Sequence, residues 1–151
     1  MVKGTMKPIT HVFMDWVVAR VRAAIPTEWR EVVHVHDDRE TDLAEIIFKN
    51  INTGTGCCAA VSLPSLRKEG DNAASNTQYR VQVEIGVVHN ATLLPSLNSH
   101  ALTETIFRSF VGAEFESGGF LAFDVGADNL SSTIDGSQQT HLFSVSYTLT
   151  I

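Results

Sequence analysis

Two long segments of the chain alternate between apolar and polar residues. They cover 77–88 and 139–151. A period of two is typical of a β-strand that buries one face and leaves the other exposed. Each segment is about twice the usual strand length of ~5–6 residues, so we expect two long strands with a polar, hydroxyl-rich outer row. The inward rows are Tyr79, Val81, Val83, Ile85 and Val87 in the first, and His141, Phe143, Val145, Tyr147, Leu149 and Ile151 in the second.

Three other segments have the periodicity of amphipathic helices. Thr10 is the expected N-cap of the first, and Pro26 ends it. Asp42, three residues before Glu45, is typical of a cap for the second. The glycine-rich stretch 52–56 ends that helix. The predicted helices are 10–24, 42–51 and 96–111.

The remaining segments predict short strands and one long loop. The stretch 64–76 is polar and has almost nothing to bury, so we expect a mobile or extended loop. Asp135-Gly136, ahead of an alternating run, is a hairpin signal. The resulting order α, β, α, β, β, α, β, β predicts a single α+β domain over 1–151. Its sheet is mainly antiparallel and twisted, with two to three helices packed on one face. The predicted short strands are 32–36, 57–63 and 120–125.

Composition and charge limit the classes of function. With 151 residues and 44% hydrophobic content, the chain can form one domain with a substantial core. The 11 basic and 17 acidic residues give a net charge of −6, with no basic cluster larger than Arg67-Lys68. This argues against sequence-specific nucleic-acid binding. No apolar run approaches the about 20 residues that span a bilayer, and the N-terminal stretch does not have the pattern of a signal peptide. The adjacent Cys57 and Cys58 suit a reducing, cytosolic compartment.

A histidine pair is the strongest candidate for chemistry. His34 and His36 stand at i and i+2 of a predicted strand and so share a face, as two zinc ligands can. His89, His141 or Asp38 would have to supply further ligands. The alternative is a strand end with solvated histidines that leads into an acidic turn. We assign no metal and no cofactor, and we keep a metal-dependent hydrolase using His34 and His36 as an alternative.

The other candidates are weaker. Cys57 and Cys58 follow a glycine turn in an apolar run, which favours buried thiols over a catalytic nucleophile. Glu114 and Glu116 could pair as acid and base, but a solvated loop is the expected setting. The 54–56 glycine turn lacks the spacing of a phosphate-binding loop. We therefore predict that the protein is not an enzyme.

The order of elements resembles a known family. A helix precedes a glycine followed by a small-residue strand, 56–64 (GCCAAVSLP), and a long strand, 78–90 (QYRVQVEIGVVHN). A helix ending in 106–110 (IFRSF) and a terminal strand then complete the chain. This pattern resembles the tail terminator (tail completion) proteins of long-tailed bacteriophages and prophages over 12–151. The resemblance rests on order, length and patterning.

The resemblance implies a structural virion protein. Such proteins form homo-oligomeric rings, usually hexamers, that cap the tail tube, stop its polymerisation and join it to the head–neck complex. The implied partners are the tail tube protein and the head–neck connector protein. The implied locations are the host cytoplasm during assembly and the virion tail. Arg67, Lys68 and Glu69 are the expected residues for docking to the tube or the neck, because loops on a rigid scaffold often carry function.

Two alternatives remain beside the hydrolase. The strand and helix predicted over 32–51 are not a strong part of the family pattern, so the chain could be another phage neck or tail morphogenesis subunit. It could also be a monomeric module that accepts a peptide along a strand edge.

Overall fold

The computed structural model describes residues 8–39, 42–71, 77–117 and 121–150. Three helices and two sheets form an α+β fold, which confirms the predicted class. No helix in these ranges is long and apolar enough to cross a bilayer. The helices are α1 (Ile9–Ala24), α2 (Leu43–Thr53) and α3 (Ser99–Phe110), and a 3₁₀ turn covers Thr27–Trp29. The strands are β1 (His34–Asp37), β2 (Cys57–Val61), β3 (Ser65–Asp71), β4 (Thr77–Asn90), β5 (Glu114–Ser117), β6 (Leu121–Asp124), β7 (Gly126–Asp135) and β8 (Gln138–Thr150).

The main sheet has the order β1-β2-β4-β8-β7, with β3 also paired to β4. Strands β4 and β8 pair antiparallel along their length, from Gln78 opposite Thr150 to Asn90 opposite Gln138. The two long strands predicted from alternation therefore form the centre of the sheet. The pairing of β1 with β2 is parallel, because α2 returns the chain to the same edge. Strands β5 and β6 form a separate two-stranded sheet.

The core lies between one face of the main sheet and helices α1 and α3. The inward rows of β4 and β8 are buried as predicted, from Val81 to Val87 and from His141 to Tyr147. Phe13 of α1 meets Tyr147 and Phe115 at centroid distances of 4.6 and 5.1 Å. Each fully buried side chain of this size contributes about 1.5–3 kcal/mol through burial. This face holds most of the stabilising apolar contact.

Helix α2 covers the opposite face. Cys58 and Val88 are paired across β2 and β4 and point away from the main core, yet both are buried. Helix α2 contacts β2 and β4 there. Two of the predicted two to three helices therefore share a face, and the crossover helix lies on the other.

The N-terminal ends of α1 and α2 test the two caps predicted from the sequence. Pro8, and not the predicted Thr10, is the N-cap of α1; its carbonyl oxygen accepts from the amides of His11 and Val12 at 2.9 and 3.0 Å. Proline suits this place because it has a fixed φ and no amide hydrogen to satisfy. The Asp42 cap is confirmed, since its side chain accepts from the Glu45 amide at 3.2 Å.

Three polar segments form strands that were not predicted. The loop expected over 64–76 is wrong for Ser65–Asp71, which forms β3 by backbone pairing with β4; residues 72–76 lie outside the described ranges. Strands β5 and β7 were also missed. The predicted strand 120–125 corresponds to β6, and residue 120 lies outside the described part. The hairpin at Asp135-Gly136 is confirmed: Asp135 pairs with Gln138, and Gly136 has φ 61°.

Candidate functional site

The histidines proposed as metal ligands do not lie together at one site in the structure. His34 and His36 have ring centroids 6.2 Å apart, and His34 Nε2 donates to the Glu31 carbonyl oxygen at 3.1 Å. His89 and His141 lie in the buried rows on the other face of the sheet. Across the described ranges, no group of three His, Cys, Asp or Glu side chains could hold a metal ion.

The two cysteines are buried, as expected. Burial raises the pKa of Cys57 to about 12 and that of Cys58 to about 11. Both groups are therefore neutral thiols near neutral pH and poor nucleophiles. Glu114 and Glu116 lie on β5, not in the expected loop, and their side chains are exposed on either side of the buried Phe115.

A buried polar network joins α3 to the two central strands. Ser99 Oγ lies 2.9 Å from His89 Nδ1, 2.8 Å from His141 Nε2 and 3.0 Å from Gln139 Oε1. His141 Nδ1 lies 2.7 Å from Ser132 Oγ. Ser99, His89 and His141 are at most 2% exposed. Because Ser99 is buried, its hydroxyl is not accessible as a nucleophile, and the network stabilises the packing of α3 on the sheet.

Hydrogen-bonding capacity assigns the protons in this network. His89 Nε2 must donate to the Leu94 carbonyl oxygen at 2.7 Å, and the tautomer protonated at Nε2 accepts at Nδ1 from the Ser99 hydroxyl. That hydroxyl has one proton, so His141 Nε2 donates to Ser99 and His141 Nδ1 accepts from Ser132. The amide nitrogen of Gln139 then fits best beside Ser99, since the O and N of an amide are interchangeable in shape. In this arrangement both ring nitrogens of each histidine and the Ser99 hydroxyl have a hydrogen-bond partner.

The surroundings of His141 disfavour a charge on its ring. Burial, followed by the neighbouring His100 and His89, lowers the pKa of His141. Sequence reasoning missed the network because its members come from four distant segments. The available signal was the presence of His141 in an inward row, since a buried imidazole requires partners.

The residues predicted for docking lie on an edge strand. Arg67, Lys68 and Glu69 are exposed on β3, and Glu69 Oε1 accepts from Arg80 Nε of β4 at 2.9 Å. Among the described residues, β4 is the one strand paired with β3. We call the outer side of Ser65–Asp71 the β3 edge. Leu66, on this strand, is 54% exposed.

A second open edge lies at the opposite margin of the sheet. In the described ranges β7 pairs with β8 alone, and we call the outer side of Gly126–Asp135 the β7 edge. Ile134 on this strand is 70% exposed. A register shift between Asp128 and Ser131, with Asn129 at φ 62°, interrupts the pairing and leaves a regular stretch from Ser131 to Asp135. Such bulges are common at sheet edges, where they limit where a further strand can pair.

The two edges are complementary in direction. Both β3 and β8 run antiparallel to β4, and β7 runs antiparallel to β8, so β3 and β7 run in opposite directions. A copy placed alongside in the same orientation would offer its β7 edge antiparallel to the β3 edge. The β7 sequence holds Asp128 and Asp135 and no cation. The β3 sequence holds Arg67 and Lys68 together with Glu69 and Asp71, so its formal charges cancel.

The edges are also staggered along the strands. The β3 edge lies beside the first half of β4, at Thr77–Gln82. The β7 edge lies, through β8, beside the second half, at Gln82–Asn90. Pairing between the β3 edge of one copy and the β7 edge of the next therefore needs the two copies to be offset along the strand direction.

Comparisons with known proteins define the fold alone. No protein-family model and no curated protein sequence matches the chain. A solved structure whose name gives no function matches 89% of this chain and 84% of its own, with a TM-score of 0.50 and 19% identity.

Proposed function

We propose that the protein is a structural subunit of a bacteriophage tail, of the tail terminator type, that assembles head to tail into a ring and caps the tail tube. The observation that carries the proposal is that β3 and β7 each have an unpaired outer side, at opposite margins of one sheet, among the described residues; β1 is also an edge strand. The antiparallel directions of β3 and β7 suit a heterologous contact, in which one edge of a copy meets the other edge of the next.

The resemblance of the sequence to tail terminators supports the same function. It rests on the order of the N-terminal helix, the small-residue strand, the long strand, the second amphipathic helix and the terminal strand. A ring of this kind, usually a hexamer, presents one rim to the tube and the other to the head–neck connector. The net charge of −6 fits a lumen that DNA crosses without adhering.

The edges explain how assembly can be specific. Edge pairing provides backbone hydrogen bonds, and the charged side chains select the partner. Arg67 and Lys68 would then contact the acidic β7 edge of a neighbouring copy, and the exposed apolar Leu66 and Ile134 would be covered. In this proposal the docking residues serve the ring, and the rims contact the tube and the connector.

Light scattering behind a sizing column tests the ring, with protein from micromolar to hundreds of micromolar. We expect a discrete species of six subunits of 16.5 kDa at high concentration. If the free protein stays monomeric, the same sample is added to purified tail tubes and imaged by electron microscopy. Rings at tube ends would then support assembly templated by the tube. A monomer that leaves tube ends bare and tube growth unchanged would refute the proposal and favour edge pairing with a peptide.

A further inference from the structure

A cleft of about 380 Å³ opens where α1 ends beside β1. It forms because Pro26 stops α1 and the chain turns through Thr27–Trp29 before entering β1. This volume is within the range of small-molecule sites. The lining residues are Arg22, Ile25, Arg30, Val33, His34 and Val35.

Two guanidinium groups line this cleft, and neither has a carboxylate partner among the described residues. Arg30 donates from Nε to the Ile25 carbonyl at 2.8 Å and from Nη2 to the Ala23 carbonyl at 3.1 Å. Arg22 donates from Nη2 to the Val35 carbonyl over a longer 3.4 Å. Each guanidinium has five N–H donors, so several remain available. Among the described residues the ion pairs of arginine are those of Arg39, Arg80 and Arg108, which leaves Arg22 and Arg30 unpaired.

The rest of the lining selects against a simple inorganic anion. Ile25, Val33 and Val35 are buried aliphatic side chains that form an apolar wall. The net charge of −6 disfavours a multiply charged ligand. The planar donor fork of arginine matches a carboxylate and a phosphate equally well, so the apolar wall and the net charge decide between them. The lining therefore suits a ligand that has one singly charged group attached to an apolar body.

We propose that this cleft binds a carboxylate carried on a short apolar body, with Arg22 and Arg30 at the carboxylate and Ile25, Val33 and Val35 around the body. A free organic acid offers this chemistry, and so does an acidic side chain flanked by apolar residues in another protein chain. The site is independent of the proposed ring, since it needs neither of the two sheet edges.

Hexanoate is the probe, titrated into ¹⁵N-labelled protein while the backbone amides of Val33 and Val35 are followed. We expect saturable shifts that weaken with added salt. Hexanamide keeps the body but not the charge, and inorganic phosphate keeps the charge but not the body. Both should bind at least tenfold more weakly than hexanoate. Equal binding of hexanoate and hexanamide, or the absence of saturable shifts, would overturn the proposal.

Arg22→Gln is the informative variant, because Arg22 makes one long hydrogen bond and Arg30 caps α1. It should weaken hexanoate binding at least tenfold and leave the circular dichroism spectrum unchanged. Arg108→Gln, on α3, is the matched control and should bind as the unaltered protein does. Unchanged affinity in Arg22→Gln would also refute the site.

The blocked peptide acetyl-Leu-Glu-Leu-amide identifies the source of the carboxylate. Tighter binding of this peptide than of hexanoate indicates a protein partner, and weaker binding indicates a free acid.

Discussion

Ser99 connects side chains from three strands at the start of α3. Its hydroxyl meets His89 of β4 and His141 of β8, and His141 reaches Ser132 of β7. Buried polar groups stabilise a fold when every atom has a partner and destabilise it strongly when one is removed. The network therefore holds α3 in register on the sheet, beside the edge strand on which the ring proposal depends.

Removal of the Ser99 hydroxyl should destabilise the protein. In Ser99→Ala, His89 Nδ1 and His141 Nε2 both lose a partner in a site with almost no solvent access. We expect the free energy of unfolding to fall by about 1–3 kcal/mol, measured by urea denaturation. Ser96→Ala, at an exposed position three residues earlier, is the control and should change it by less than about 0.5 kcal/mol. Equal effects of the two variants would contradict the assigned role.

The lowered pKa of His141 predicts sensitivity to acid. The unfolded chain binds a proton near the ordinary pKa of 6.5, whereas the folded state resists it to a lower pH. The stability that neutral, buried His141 contributes is therefore fully present above pH 6.5. It is lost as the pH falls through the pKa of His141 in the folded protein. Urea denaturation between pH 8 and 5 should show unfolding free energy decreasing below about pH 6.5. His141→Gln should flatten this decrease, and His11→Gln on α1 should not. A slope that His141→Gln leaves unaltered would assign the effect elsewhere.

At the scale of the element, alternation identified the two long strands that bury a face and missed β3 and β7, which do not. Strands β4 and β8 each have one buried row, so their periodicity is visible in the sequence. Strands β3 and β7 expose both faces over most of their length, so selection for apolar residues is weak there. Their pairing depends on a neighbouring strand and not on their own pattern. The strands that form the β3 edge and the β7 edge were therefore the hardest to predict from the sequence.

The β7–β8 turn provides a direct test of local backbone chemistry. Gly136 has φ 61°, and a residue with a Cβ is strained there by about 1–2 kcal/mol. Gly136→Ala should lower the free energy of unfolding by about that amount, measured by urea denaturation. Gly126→Ala, at the other end of β7, is the matched control: neither glycine has an atom within 4 Å of an added Cβ, and Gly126 does not have a positive φ. A loss in Gly126→Ala equal to that in Gly136→Ala would show that strain is not the cause.

At the scale of the molecule, the sequence predicted the class of fold and the central pair of strands. It did not predict that α2 would lie on the face opposite α1 and α3. The reason is physical: helical periodicity shows that a helix has an apolar side, but the parallel return from β1 to β2 decides which face receives it. The same limit applies to the cleft at the end of α1, whose arginines are separated by a turn and meet only through the fold.

The ring proposal predicts that charge placed on either edge blocks assembly without unfolding the subunit. Leu66→Lys on the β3 edge and Ile134→Lys on the β7 edge replace exposed apolar side chains, so neither should change the free energy of unfolding by more than about 0.5 kcal/mol. Each should prevent the discrete ring in light scattering, or the cap at tube ends, because a long charged side chain would replace an apolar one that the contact covers.

Matched controls distinguish an edge effect from a general effect of charge. Phe48→Lys on α2 and Val111→Lys after α3 replace residues of similar exposure that lie away from both edges, and they should assemble normally.

Mixing the two edge variants adds a further test. A head-to-tail contact leaves each variant one intact edge, so the Leu66→Lys subunit should join its β7 edge to the β3 edge of the Ile134→Lys subunit and stop as a dimer. Assembly that proceeds in both edge variants, or fails equally in the controls, would place the contact elsewhere on the surface.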